Sequence, residues 1–423
     1  MNKRTQRIRI VLLILISLLV GYYFGVNKVN FEWKRYTPQI SIINREPPTG
    51  VSVVDFSQFW TVWRRIQTTY YDKTKIDAQK MLDGAISGMI GSLNDPYTLY
   101  LPAQQNGNFK EGLAGQFQGI GAELGSNNKQ IIIVAPLAGS PAEKAGIKPG
   151  DAIIKVDGKS TAGWDLNQAV TVIRGPKGTQ VVLTILHKGD TNTKDITVTR
   201  DVITVKSVEG WIKKVKDIPS IQGTDILKNH QDDSVAYIKL SQFGDDTNKD
   251  WVSLVIKLVA DMKKEQKFKG IVLDVRNNPG GYLTDATFIA SEFLSEGTPV
   301  VIQDSGTDKQ VLTVSRKGAL LNTPLVVLIN KGSASASEIV SGAMQDYGRA
   351  KLIGEQSFGK GTIQQAEDLG NGAGLHVTIA KWLTPKERWV HGTGLTPDIA
   401  VALDAKDTVH DTQLEKSVEE LVK

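Results

Sequence analysis

The 423-residue chain contains no cysteine. That excludes disulfides, thiolate catalysis, cysteine-bound zinc and lipidation at an N-terminal cysteine. Histidine is scarce: His187, His230, His376, His391 and His410 are all there are, and none stand at metal-ligand spacing. No metal is expected. Neither sign of charge dominates, because fifty Lys and Arg against forty-five Asp and Glu leave +5, spread along the chain. No basic stripe suits nucleic acid. With 40% apolar and 22% charged residues the composition is globular, and the length allows two or three domains.

Lys3, Arg4, Arg7 and Arg9 precede an uncharged run from Ile10 to Val26. At ~1.5 Å per residue this run crosses most of a hydrocarbon core. No A-x-A pattern of small residues follows, so residues 1–27 are expected to be an uncleaved signal anchor, with the remainder exported. The basic N-terminus places that end in the cytoplasm, against Lys28, Lys34 and Arg35 just beyond the run. Gly21 and Gly25 form a G-x-x-x-G through which two anchors would pair in a homo-oligomer.

The chemistry is expected between Asn330 and Gln365. Leu325 to Ile329, LVVLI, is a short apolar run suited to a buried strand, and Ile339, Val340, Ala343, Met344 and Tyr347 recur at helical spacing before Gly348. Ser333, Ser335 and Ser337 therefore fall at a strand-to-helix turn, where free N–H groups and the helix dipole favour developing negative charge. Spacing does not choose among the three. Lys360 stands between Gly359 and Gly361, and an extended Lys360 to Gln364 would put Lys360, Thr362 and Gln364 on one face. A lysine serves as a base only when neutral. Keeping it so at pH 7 takes about 4 to 5 kcal/mol, which burial away from carboxylates supplies. Gln364 would orient the amine without stabilising the ammonium.

The SASASE run, the FGKG lysine 25 positions after Ser335 and the Gln364 that follows resemble the carboxyl-terminal processing proteases, tail-specific PDZ-containing peptidases of family S41 with a Ser-Lys dyad. The resemblance implies Ser335 as nucleophile, Lys360 as general base and Gln364 as the lysine's orienting partner, with no cofactor. Upstream, Ile271 to Val275 reads as a buried strand ending in DVRNNPGG, and the family's use of that motif implies an oxyanion hole from Gly280 or Gly281 with the amide of Ala336.

Earlier in the chain, residues 27–50 read as a linker. Phe56, Phe59, Trp60, Trp63 and Ile66 would face a core from one helix, and Met81, Leu82, Ala85, Ile86, Met89 and Ile90 from a second that ends at Asn94-Asp-Pro96. The run YTLYLP follows as a short extended piece. From about Phe109 to Val205 the strands GIGAEL, IIIVAPL, AIIKVDG, VVLTIL and DITVT surround a helix over Asp165 to Arg174. With Gly119-Ile-Gly121, the GSPAEKAG turn-helix and KPGD, this unit resembles a PDZ domain. That implies a partner's C-terminal carboxylate held by the amides of Gln118 to Gly121, with Ile120 and the Val170 face shaping an apolar pocket. From its position just past the pocket helix, Arg174 is expected to contact the protease core. Residues 205–233 are not assigned to any element. Alternating strands and helices from Ser234 to Gly354 imply βαβ units, Leu375 to Leu383 adds a strand, and a helix lies near Gln413 to Val422.

The expected fold class is multidomain α+β: a membrane anchor (1–27), a linker and helical region (28–105), a β-rich PDZ domain (106–204), a ClpP/crotonase-like α/β serine-protease core (205–402) and a terminal helix (403–423). The expected activity is a membrane-anchored, extracytoplasmic serine endopeptidase whose partners are proteins with free, apolar C-terminal tails. Three other readings stay open: a silent PDZ adaptor, a crotonase-type acyl transferase, and a serine triad using His376 or His391.

Overall fold

The computed structural model describes residues 12–20, 22, 29–34, 37–42, 55–127, 130–137, 139–164, 166–187, 190–403 and 410–423. The chain divides into two units, Met1–Met81 and Leu82–Lys423, with the break inside the helix Ala78–Gly91.

In the first unit residues 12–20 are helical, while 10, 11, 21 and 23–26 of the expected anchor, Gly21 and Gly25 included, lie outside the described residues. Among the described residues no helix is long and apolar enough to cross a membrane. Part of the expected linker is a hairpin, in which Val29–Lys34 pairs antiparallel with Thr37–Ile42. Their β-branched and aromatic residues favour extended backbone over coil. The aromatic stripe is not core. Helix Ser57–Thr69 has no buried residue, and Trp60 is 56% exposed. Its rings touch one another instead, with Phe59 against Trp60 at 5.1 Å and Trp63 at 6.0 Å.

In the second unit the helix Ala78–Gly91 turns Ile86 and Ile90 against Tyr100, Ala373 and Leu375, whereas Leu82 and Met89, expected inside, are exposed. The extended piece is a strand, Leu99–Leu101, paired with Gly374–Leu383. A helix that the sequence reading missed, Ala103–Leu113, leads into the PDZ unit.

That unit is an antiparallel sheet in the order Lys194–Thr199, Gln180–Leu186, Ala152–Val156, Gln130–Pro136, Ala122–Asn127. Lys159–Ser160 pairs with Ala152–Val156, and helix Leu166–Ile173 packs against the sheet. Ile131, Ile133, Ile153, Val181, Leu183 and Ile185 alternate inward with no exposed surface, the period-two burial of a sheet with one core face. Among the described residues, strand Ala122–Asn127 pairs on one side only.

The catalytic core is a six-stranded sheet in the order Val208–Lys214, Ser234–Leu240, Phe268–Asp274, Leu325–Ile329, Lys351–Gly354, Ile399–Ala400. Its first pair is antiparallel and the rest parallel. The antiparallel strand occupies part of the stretch left unassigned. Both faces are covered, so the strands read as continuous apolar runs. Ile238, Ile271, Leu273, Val327 and Ile329 pack under helices Thr247–Met262, Leu283–Ala290 and Ala336–Asp346, while Val235, Val272, Val326 and Leu328 pack against Leu414, Val418 and Val422 of helix Thr412–Val422. A second, antiparallel sheet runs Lys309–Thr313, Pro299–Asp304, Gly374–Leu383, Thr362–Asp368.

Two of these helices share a buried acid. Asp285 accepts from the Asn248 side-chain amide at 2.8 Å, but its other oxygen and Asn248 Oδ1 have no donor among the described residues. Burial, with the charge of Asp245 adding to it against the Asn248 hydrogen bond, pushes the Asp285 carboxyl up to about 6. The unfolded chain thus ionises first, so this stabilisation is complete below the unfolded value and is lost as pH rises through the folded one. Asp285→Asn is expected to leave the melting temperature nearly unchanged at pH 4 and to raise it by pH 8, by at most ~3 kcal/mol of stability. Calorimetry of both proteins across that range checks the sign.

Candidate active site

Strand Leu325–Ile329 delivers the chain to the serine turn, and helix Ala336–Asp346 leaves it. Ser335 sits between them with φ 54° and ψ −115°, a conformation disfavoured for any residue with a Cβ. The three serines are not equivalent here. Ser333 donates to the Val275 carbonyl (2.8 Å) and Ser337 to that of Asn278 (2.9 Å), and both are fully buried. Ser335 opens on a cavity of about 350 Å³ whose lining also includes Gly280, Gly281, Ala336, Lys360, Thr362, Gln364 and His376. Every residue expected to carry the chemistry meets in this one cavity.

Glu338, which the sequence reading passed over, holds the turn. Fully buried, its carboxylate accepts from the N–H of Ser335 (2.9 Å), the hydroxyl of Ser357 (2.6 Å), the N–H of Gly359 (2.7 Å) and the N–H of Lys360 (2.9 Å). One carboxylate therefore fixes the nucleophile turn and the lysine loop to each other. The signal was there in the sequence: a Glu three residues beyond a helix-starting Ser is capping-box spacing.

Lys360 is half-buried, and burial lowers its pKa while the charge of Asp95 pulls the other way. The lysine is not away from carboxylates as expected. Among the described residues no hydrogen bond joins Lys360 Nζ to Ser335 Oγ; the amine lies over the Tyr97 ring, 5.2 Å from its centroid. Nor does Gln364 bond the lysine. Its amide nitrogen donates to the hydroxyls of Thr362 (2.9 Å) and Thr378 (3.1 Å), because Thr378 faces it from the paired strand.

The two glycines differ. The Gly280 N–H donates to Asn278 Oδ1 at 2.9 Å, which removes it as a donor to substrate, whereas the N–H groups of Gly281 and Ala336 have no acceptor among the described residues. A Cβ on Gly280 would stand 2.8 Å from Ser335 Cβ, and one on Gly281 would stand 1.7 Å from the Phe243 carbonyl oxygen. A bulky residue at either position would distort the turn before it tested an oxyanion contact.

His376 shares the cavity, edge-on to Phe109 at 4.6 Å, and its pKa is lowered by burial and then by Lys360. His391 stacks on Trp389, with no partner for Nδ1 among the described residues. Among the described residues neither has a hydrogen-bonded carboxylate to orient it toward Ser335, as a triad requires.

In the PDZ unit a second cavity, about 390 Å³, is lined by Gln118, Gly119, Ile120, Gly121, Val170 and Arg174, beside the unpaired edge of Ala122–Asn127. The N–H groups of Ile120 and Gly121 have no acceptor among the described residues. Arg174 does not reach the catalytic core as expected. Its guanidinium lies over the Phe117 ring at 4.8 Å, and Gln118 accepts from the Lys177 N–H and donates to Glu111.

An α/β core with a serine at a strained strand-to-helix turn, a half-buried lysine and an attached PDZ groove defines a class of peptidase. Residues 234–401 match peptidase family S41, residues 132–186 a PDZ domain and residues 18–105 the N-terminal domain of the activating protease CtpB. The chain is 41% identical over 384 residues to carboxy-terminal processing protease CtpB of Bacillus subtilis (strain 168), covering 90% of this chain and 74% of that protein. It is 36% identical over 348 residues to CtpA of the same organism, covering 82% of this chain and 69% of that protein. Among solved structures, the photosystem II D1 C-terminal processing protease aligns over 86% of this chain and 96% of its own, with a TM-score of 0.52 and 28% identity. The chain belongs to peptidase family S41, as a PDZ-containing serine peptidase of the carboxy-terminal processing class.

Glu338→Gln is expected to lower the melting temperature and to cut kcat by about 10- to 100-fold, because an amide presents one acceptor oxygen to donors that two now serve. Retained activity in a stably folded Glu338→Gln protein would remove Glu338 from the positioning of this site.

Proposed function

We propose that the protein is a membrane-anchored, extracytoplasmic endopeptidase that captures apolar C-terminal tails in its PDZ groove and cleaves the attached polypeptide with a Ser335–Lys360 dyad. The observation that carries this reading is the meeting of a half-buried Ser335 that lines the cavity, a half-buried Lys360 and the N–H groups of Gly281 and Ala336, which have no acceptor among the described residues. The tail would extend the sheet beside Ala122–Asn127, its carboxylate accepting from Ile120 and Gly121, and binding there raises the local concentration of the chain at Ser335.

As Ser335 Oγ bonds to the peptide carbonyl carbon, its proton passes to the lone pair of Lys360 Nζ and the carbonyl electron pair moves to oxygen, facing the two N–H groups. Collapse breaks the C–N bond, and the lysine proton goes to the leaving amine. Water then hydrolyses the acyl-enzyme by the same proton path. The reaction needs Lys360 and Ser335 in hydrogen-bond reach, a closer approach than the resting arrangement, so tail binding is the step that would bring them together. The anchor rests on the basic start and the Ile10–Val26 run alone. Fractionation of cells expressing the full chain, with carbonate extraction of their membranes, tests it: protein released by carbonate would overturn the anchor.

An unfolded polypeptide ending in a free apolar residue is expected to be cut by the parent protein and by neither Ser335→Ala nor Lys360→Ala, each at least ~10³-fold slower. Amidating the substrate's C-terminus is expected to raise KM by at least about tenfold. Equal cleavage by Lys360→Ala would discard the dyad, and indifference to amidation would discard tail capture.

A further inference from the structure

The segment Asn94 to Thr98 comes from far earlier in the chain, yet it forms one wall of the lysine's surroundings. Asp95 accepts from the Tyr97 N–H (3.0 Å) and from the hydroxyl of Thr98 (2.6 Å). Thr378 in turn accepts from Gln364 and donates its N–H to the Thr98 hydroxyl at 3.1 Å. A continuous run of hydrogen bonds thus links Asp95 through Thr378 to the Gln364 amide. The carbonyl oxygen of Gln364 has no donor among the described residues and is the end left for the amine. Tyr97 is itself wedged in place by His391, ring to ring at 5.8 Å, which leaves its face beneath Lys360 Nζ.

A base that begins neutral and turns cationic in the transition state needs two opposed things. Burial keeps it neutral at rest, but burial also penalises the ammonium once the proton arrives. A fixed negative charge and an aromatic face compensate the second without a movement of water. We propose that Asp95 and Tyr97 are the positioning wall of the base, stabilising the ammonium that Lys360 becomes while it holds the Ser335 proton. This rests on the reading of Lys360 as the base. The other titratable groups around the lysine do not replace that wall. Glu338 is occupied by four donors, one of them the lysine's own N–H; His376 on strand Gly374–Leu383 has its pKa lowered by burial and then by the lysine; and His391 abuts Tyr97 rather than the amine.

The test is the pH dependence of kcat/KM for the full chain on an internally quenched peptide with a free C-terminal carboxylate. The acid limb reports deprotonation of the base in the free enzyme. Removing the negative charge in Asp95→Asn, or the ring face in Tyr97→Leu, makes Lys360 easier to deprotonate. Both variants are expected to move the limb to lower pH, by on the order of 0.5 to 1 unit, while the plateau kcat falls about tenfold. Tyr97→Phe, which keeps the ring, is expected to restore both relative to Tyr97→Leu. A loss of rate with the limb unmoved in both variants means that the two side chains only shape the cavity, and overturns the inference while leaving the base in place. Lys360→Ala as active as the parent, or a parent profile with no acid limb, overturns the base reading itself and this inference with it.

Discussion

The buried carboxylate of Glu338 is the interaction on which the catalytic half of the structure depends. Two segments must be placed within reach of each other, a turn at Ser335 and a glycine-flanked loop at Lys360, and neither belongs to the regular hydrogen bonding of a sheet. Four donors from these segments converge on one group. Charge-assisted hydrogen bonds of this kind are about twice as strong as neutral ones, and a buried carboxylate would be costly without them. The strained backbone of Ser335 is held by the same contact, since its N–H points into the carboxylate rather than along a helix.

Much of this was legible in the sequence because it lies in local pattern. LVVLI as a buried strand, the helix after it, the PDZ strands and the DVRNNPGG loop each follow from periodicity or from a motif contiguous in the chain. What escaped was set by contacts across the fold. Asp95 and Tyr97 stand more than 250 positions before Lys360, and no spacing rule joins them. Gln364 was assigned to the lysine from strand alternation and the family resemblance, while the register of its strand gives it Thr378 instead. The aromatic stripe on Ser57–Thr69 shows the opposite failure, a clear period without a partner to bury it.

The glycines of DVRNNPGG illustrate why a motif underdetermines a role. Both are needed for space, Gly280 against Ser335 and Gly281 against Phe243, and only coordinates distinguish their amides. Asn278 takes the first N–H and anchors the loop to the Leu240 carbonyl with its own amide, at 2.8 Å. The donor left for an oxyanion is then the one whose glycine tolerates a side chain least. Close packing and function coincide at Gly281, so its conservation in any variant library would not by itself separate them.

The lysine poses a balance that composition cannot express. Were burial the only influence, the amine would be neutral but its conjugate acid prohibitively unstable; were Asp95 in direct contact, the ammonium would be permanent and the base lost. The arrangement found lies between these limits. Asp95 is engaged by the Tyr97 N–H and the Thr98 hydroxyl, and with its charge opposing burial the pKa of the lysine still ends below its ordinary value. The charge of Asp95 favours the ammonium, and burial opposes it. The same reasoning bears on Gln364, which shares the cavity with Lys360: a carboxylate in its place would favour the charged form of the lysine and weaken it as a base.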